Sequence, residues 1–194
     1  YNIKEDDIVI NFCGRTIEEK GIKQLITAFE KIKNIEKCKL LVVGNCNYAK
    51  QVKTPFEEEL FKLAEEQKDR IIFTGFIPNK ELYKIHHISD IAVIPSIFEE
   101  PFGLTVIEAM ASGLPLITSD AGAIPDIVDA ENAIVVKRGE DFVSNLTIAL
   151  DKLIENKEMR EKMGLHSKEL AKKYDTPNYY NNFCEILYTI GKEQ

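Results

Sequence analysis

The chain has 194 residues, 44% hydrophobic and 29% charged, with a formal net charge of −7. These are ordinary values for one globular domain, or at most a domain with a terminal extension. The acidic balance without a basic stripe excludes a nucleic-acid backbone as partner, and no apolar run reaches the roughly 18 residues of a membrane-spanning helix.

Cys13, Cys38, Cys46 and Cys184 are scattered, with no C-x-x-C. That pattern reads as reduced thiols in a cytoplasmic protein rather than a zinc site or a disulfide framework. No signal peptide is read at the start of the sequence, and a chain that opens at Tyr1 rather than Met is expected to be a fragment.

Taken in order, the chain alternates strand and helix. Residues 8–13, apolar and ending at Gly14, read as a buried parallel strand. A loop from Gly14 to Gly21 leads into an amphipathic helix carrying Ile22, Leu25, Ile26, Phe29 and Ile32. A strand over Lys39 to Val43 stops at Gly44, and a helix over Pro55 to Gln67 follows. A strand over Arg70 to Thr74 stops at Gly75, and Asn79 reads as the N-cap of a short helix. Strands over Ile91 to Ile94, Leu116 to Ser119 and Ala133 to Val136 come next, the last preceded by a short helix near Pro125 to Val128. Beyond Gly139 the chain reads as helical: Glu140 to Glu155, Lys157 to Lys173 and Pro177 to Gly191. Such alternation predicts an α/β fold, a Rossmann-like parallel six-stranded sheet with helices on both faces. The whole chain, 1–194, is read as one such domain with a C-terminal helical segment from about 140.

In sheets of this kind a ligand sits beyond the carboxyl ends of the strands, where strand order reverses. Four loops meet that condition: Gly14 to Gly21, Gly44 to Asn47, Gly75 to Pro78 and Pro95 to Gly103. Their glycines suit close approach to a ligand and equally tight strand-to-helix turns; for Gly44 the turn is favoured. The last loop is the most informative. After Ile94 come Pro95, Ser96, the adjacent carboxylates Glu99 and Glu100, and Pro101-Phe102-Gly103. A helix from Leu104 to Ser112 follows, apolar on nearly every side and closed by Gly113-Leu114-Pro115. An all-apolar helix is expected to be buried, yet it carries Glu108, which must then find a hydrogen-bonding partner in the protein or in a ligand. The helix N-terminus, with its free N–H groups, suits an anion.

Glu100-Pro101-Phe102-Gly103 with Glu108 resembles the E-x7-E signature of retaining nucleotide-sugar glycosyltransferases of the GT-B fold (glycosyl transferases group 1). The run Glu108 to Pro115, then Ala121-Gly122-Ala123-Ile124-Pro125-Asp126-Ile127-Val128, matches that family closely, and the resemblance extends from Gly14-Arg15 to the terminal helices. It implies the C-terminal, donor-binding half of a two-domain enzyme. The donor is a nucleoside diphosphate sugar, and the acceptor a glycan or lipid-linked glycan in polysaccharide biosynthesis. The N-terminal acceptor domain is absent, so the piece alone is expected to lack turnover, and any peripheral membrane association would run through that missing half. No cofactor and no metal are implied. The resemblance puts Arg15 and Lys20 on the donor diphosphate and Glu108 on the ribose. It puts Glu100 beside the transferred sugar, with backbone at Phe102, Gly103 and Leu104 reaching sugar or phosphate. Gly75-Phe76-Ile77-Pro78 would bracket the base, and Gly14 and Ser96 would touch the same site.

Without the resemblance, Arg15 and Lys20 read as solvated loop charges and Glu108 as a capping or salt-bridge carboxylate. Gly14-x5-Lys20-Gly21 lacks the glycine before the lysine and the Ser or Thr of a P-loop, and no G-x-G-x-x-G follows a strand. His86, His87 and His166 read as surface or helix-end residues, and Tyr179 and Tyr180 as packing onto the sheet. Two other classes fit the same residues: a non-catalytic nucleotide-binding module, and a sugar-phosphate epimerase of the same two-domain fold.

Overall fold

The structure is a computed structural model that describes residues 1–46 and 54–192. The expected loop from Gly44 to Asn47 therefore reaches outside the described residues at Asn47. The first half runs β1 (Ile8–Cys13), α1 (Ile22–Phe29), β2 (Cys38–Val43), α2 (Pro55–Leu63), β3 (Ile71–Gly75), α3 (Asn79–His87) and β4 (Ile91–Ile94). The second runs α4 (Leu104–Ala111), β5 (Leu116–Ser119), α5 (Ile124–Ile127), β6 (Ala133–Val136), α6 (Phe142–Glu155), α7 (Lys157–Ala171) and α8 (Thr176–Lys192).

The strands form one six-stranded parallel sheet in the order β3-β2-β1-β4-β5-β6. Alternate residues of each strand feed opposite faces, as the period of two requires. Ile10, Phe12, Ile91, Val93 and Ile117 pack with α1, α2 and α6, whereas Val9 packs with Ile85 of α3. Ala92, Ile94 and Leu116 pack with Val106, Ala109 and Met110 of α4 and Ile124 of α5. Buried on both faces, the central strands have no polar side to alternate, which is why they read as continuous apolar runs.

Strand order reverses between β1 and β4, so their two carboxyl-end loops open side by side. Gly21 lies in the left-handed region at φ 69°, and a Cβ there would stand 1.9 Å from the Pro95 carbonyl oxygen. Glycine is thus required where these two loops touch. A further bond ties them, Ile97 N–H to the Glu19 carbonyl at 2.9 Å.

Several expectations are corrected. The helix of α2 breaks at Ala64, and residues 65–67 continue only as a 3-10 turn. Pro78, not Asn79, precedes α3, with no side-chain cap; its fixed φ of −58° sets the entry and Asn79 becomes the first helical residue. The head of α4 is not buried: Leu104 is 65% exposed and Phe102 48%. Its apolar character is therefore surface as well as core. His86 is buried rather than superficial, because its side of α3 faces β1, where Asn11 Nδ2 lies 3.4 Å from its Nδ1. Tyr179 and Tyr180 do not pack onto the sheet: every residue from Thr176 to Ile190 is exposed. α8 runs on beyond the last core residues, and Tyr179 stacks instead on Phe183 in its own helix.

Candidate functional site

At the switch point a cavity of about 250 Å³ opens between the loops after β1, β2 and β3 and the head of α4. Six of the expected residues line it: Gly14, Arg15, Phe76, Ile77, Leu104 and Glu108. Cys13, Val43, Gly44, Asn45, Asn79, Leu82 and Thr105 complete the wall. A Cβ on Gly44 would stand 1.9 Å from the Gly14 carbonyl oxygen, at a φ of 123°. The glycine at 44 is therefore imposed by contact between two loop backbones, in agreement with the structural reading of it.

Two groups of opposite charge line this cavity. The exposed Arg15 guanidinium has no hydrogen bond or ion pair among the described residues. Glu108 is half-buried in the second turn of α4. Ser112 bonds its backbone carbonyl through both N–H and Oγ, at 3.2 and 2.9 Å, and none of the described residues bonds its carboxylate. Burial consequently pushes the Glu108 carboxyl above the ordinary carboxylate range. The neighbouring Cys13 thiol is pushed up to about 12, by burial first and by the Glu108 charge second. Cys13 stays a neutral thiol whose Sγ lies 3.9 Å from Asn11 Oδ1 and makes no hydrogen bond to Glu108.

A second cluster stands beside the cavity. Lys20 Nζ lies 2.5 Å from Glu100 Oε1 and 4.9 Å from the centroid of the Phe98 ring. The Ser96 hydroxyl donates to the same Glu100 oxygen, and both Ser96 and Glu100 are buried. Of the adjacent carboxylates, then, Glu100 turns inward to the Lys20 loop. Glu99 turns outward: it takes the Gly122 N–H and pairs with Arg138 at 2.8 Å. Gly103, at φ 85°, turns the chain into α4, whose first N–H groups carry no side-chain cap. The ring of Phe102 does not line the cavity and meets Tyr174 edge-on, 6.3 Å between centroids.

Sequence reasoning missed two groups. Arg138 joins the loops after β4, β5 and β6 through Glu99, Asp120 and the Ile97 carbonyl. Glu57 joins the first two loops through Thr16 and Cys46. Thr54-Pro55-Phe56-Glu57 carries the capping-box pattern, a legible signal for the helix start but not for those long-range bonds. Nothing in the sequence distinguishes Arg138 from any surface arginine. Among the described residues no group of three His, Cys, Asp or Glu side chains could hold a metal ion, and no helix is long and apolar enough to cross a membrane.

The family model for glycosyl transferases group 1 matches residues 1–170. An uncharacterized glycosyltransferase of Methanocaldococcus jannaschii is 33% identical over 129 residues, 66% of this chain and 31% of its own length. The C-terminal domain of a glycosyl transferase group 1 protein from Francisella tularensis superposes with a TM-score of 0.75 at 31% identity, 87% of each chain being covered. An Anabaena protein solved with UDP and glucose gives a TM-score of 0.83 at 21% identity, over 95% of this chain and 49% of its own. Eight curated relatives are matched over 31% to 49% of their length.

Proposed function

We propose, from the premise that this chain belongs to the glycosyl transferases group 1 family, that it binds the nucleoside diphosphate sugar from which a longer enzyme transfers a sugar. The observation that carries this reading is the pair of ionic groups, Arg15 and Glu108, that share one cavity at the switch point and find no partner among the described residues. A ligand that satisfies both must present anionic oxygens at one end and hydroxyl donors at the other. A nucleoside diphosphate does so. Arg15 takes phosphate oxygens through its planar fork, and the Glu108 carboxylate accepts from the ribose hydroxyls. The base lies against Phe76 and Ile77, at the β3 side of the cavity.

The diphosphate then runs toward the uncapped head of α4 and Lys20, and the sugar toward Glu100. Charge grows on the departing diphosphate during transfer. Arg15, Lys20 and the N–H groups of Gly103 and Leu104 supply positive charge where that charge develops, which is electrostatic stabilisation of the leaving group. These cations take the place of a metal. Glu100 holds Lys20 in position until phosphate replaces it as partner. The transfer retains anomeric configuration and takes a hexosyl unit to a glycan or lipid-linked glycan. The UDP and glucose in the Anabaena structure support the donor class. The acceptor domain of the longer enzyme covers the exposed Leu104 at the head of α4 and the apolar residues Phe183, Ile186, Leu187 and Ile190 of α8. The chain by itself has no turnover.

Calorimetry with UDP, GDP, ADP and dTDP and their nucleosides tests the reading. One diphosphate is expected to bind with a dissociation constant on the order of 0.1–1 mM, unchanged by EDTA. Arg15→Ala should weaken that diphosphate by about tenfold or more and its nucleoside little. Absence of binding by every diphosphate refutes the donor role, and loss on chelation refutes the metal-free one.

A further inference from the structure

Glu57 is the third residue of α2 and closes a capping box, its Oε2 accepting the Thr54 N–H at 2.9 Å while Thr54 Oγ1 accepts the Glu57 N–H at 3.2 Å. One carboxylate oxygen suffices for that cap, and Gln would serve it as well. The other oxygen, Oε1, leaves the helix altogether. It accepts the Cys46 N–H at 2.9 Å, from the loop after β2, and the Thr16 hydroxyl, from the loop after β1. Both Glu57 and Thr16 are buried. Burial opposes ionisation of Glu57, yet the bonds from Thr16, Thr54 and Cys46 outweigh it and hold the carboxyl below its ordinary range.

Thr16 directly follows Arg15. On the other side of Arg15, Gly14 is pinned by its N–H to the Val43 carbonyl at 3.0 Å and by the backbone of Gly44. Arg15 is thus the exposed residue between two fixed points, one of backbone and one of side chain. Among the described residues its guanidinium has no partner to orient it.

We propose that Thr16 and Glu57 are positioning residues for phosphate binding, aiming Arg15 into the cavity by locking the first loop to the head of α2. The inference rests on the donor-binding reading of the site. The Thr16 hydroxyl contributes nothing to the cap of α2, so a bond there has value only for the loop that carries Arg15. Preorganisation of this kind lowers the cost of ordering the cation when phosphate arrives.

The test is Thr16→Val, which removes the hydroxyl and keeps the shape, read by calorimetry with the tightest of UDP, GDP, ADP and dTDP and with its nucleoside. The diphosphate should bind about 3- to 10-fold more weakly, the nucleoside should be unaffected, and Thr16→Ser should restore the wild-type value. In an Arg15→Ala background Thr16→Val should add no further loss, because the residue acts through Arg15. Glu57→Gln, which keeps an acceptor for the cap, should reproduce the selective loss and guards against a Thr16 variant that fails to fold. Equal losses for diphosphate and nucleoside, or additive losses in the Arg15→Ala background, overturn the positioning role. A wild-type chain that binds none of the diphosphates overturns the donor reading and this inference together, whereas intact wild-type binding with Thr16→Val unchanged overturns this inference alone.

Discussion

Glu108→Gln should move stability and affinity in opposite directions. The carboxylate is half-buried on a cavity wall, bonded by none of the described residues, beside a thiol that stays neutral. A fully buried polar group without a partner costs about 1–3 kcal/mol; solvent in the cavity screens this one, leaving about 0.5–1 kcal/mol. Removing the charge should therefore raise Tm by about 1–4 °C for a chain of this size. The sign with pH follows from the direction of the shift. Burial raises the folded-state value above 4.5, so the folded protein keeps its proton longer than the unfolded chain. The penalty is absent below the unfolded value and appears as pH rises through the folded one. The gain in Glu108→Gln should be present at neutral pH and vanish below 4.5. Affinity for a ribonucleoside should fall by about 1–3 kcal/mol, roughly 5- to 150-fold, as charge-assisted bonds are lost. Scanning calorimetry at the two pH values, with titration of ribo and 2′-deoxy ligands, reads both effects. Wild type should discriminate against the deoxy ligand and the variant much less. A lowered Tm in the variant, with unchanged discrimination, would mean that Glu108 holds the fold and not the ligand.

Gly44→Ala should destabilise the chain by about 1–3 kcal/mol or more, because its φ of 123° and the Gly14 oxygen at 1.9 Å leave no room for a Cβ; an unchanged urea midpoint would refute the contact. Arg138→Met should free Glu99 and speed hydrogen exchange at the Gly122 amide, which Glu99 holds, several-fold more than at amides within β1. Acceleration of equal size at both would show that Arg138 serves global stability rather than the loop.

The architecture was legible because it is written in local patterns. Apolar runs ending at Gly14, Gly44, Gly75 and Pro95 marked four strands, and in β1, β2 and β4 burial on both faces demands such runs. The order of those strands was only a rule of topology until the sheet placed β1 beside β4. The burial errors have one cause, since periodicity reports that a side chain is apolar and not whether anything covers it. Leu104, Phe102 and the residues of α8 are apolar and exposed, while His86 is polar and buried.

The candidate site divides in the same way. The residues themselves stand out in the chain, Arg15 and Glu100 as charges just beyond apolar segments and Glu108 as the one charge within an apolar helix. Their pairing does not. Whether Glu99 or Glu100 turns toward Lys20 depends on loops 80 residues apart in sequence, and the fold turns Glu100 inward while Arg138 draws Glu99 away. The link from Glu57 to Thr16 spans 41 positions and obeys no spacing rule. Secondary structure is governed by neighbours within a few residues, so the sequence alone determined the elements and the chemistry they carry. Which charge is neutralised and which is left open depends on distances across the sheet, and those were decided only when the loops after β1, β2 and β4 were brought to one edge.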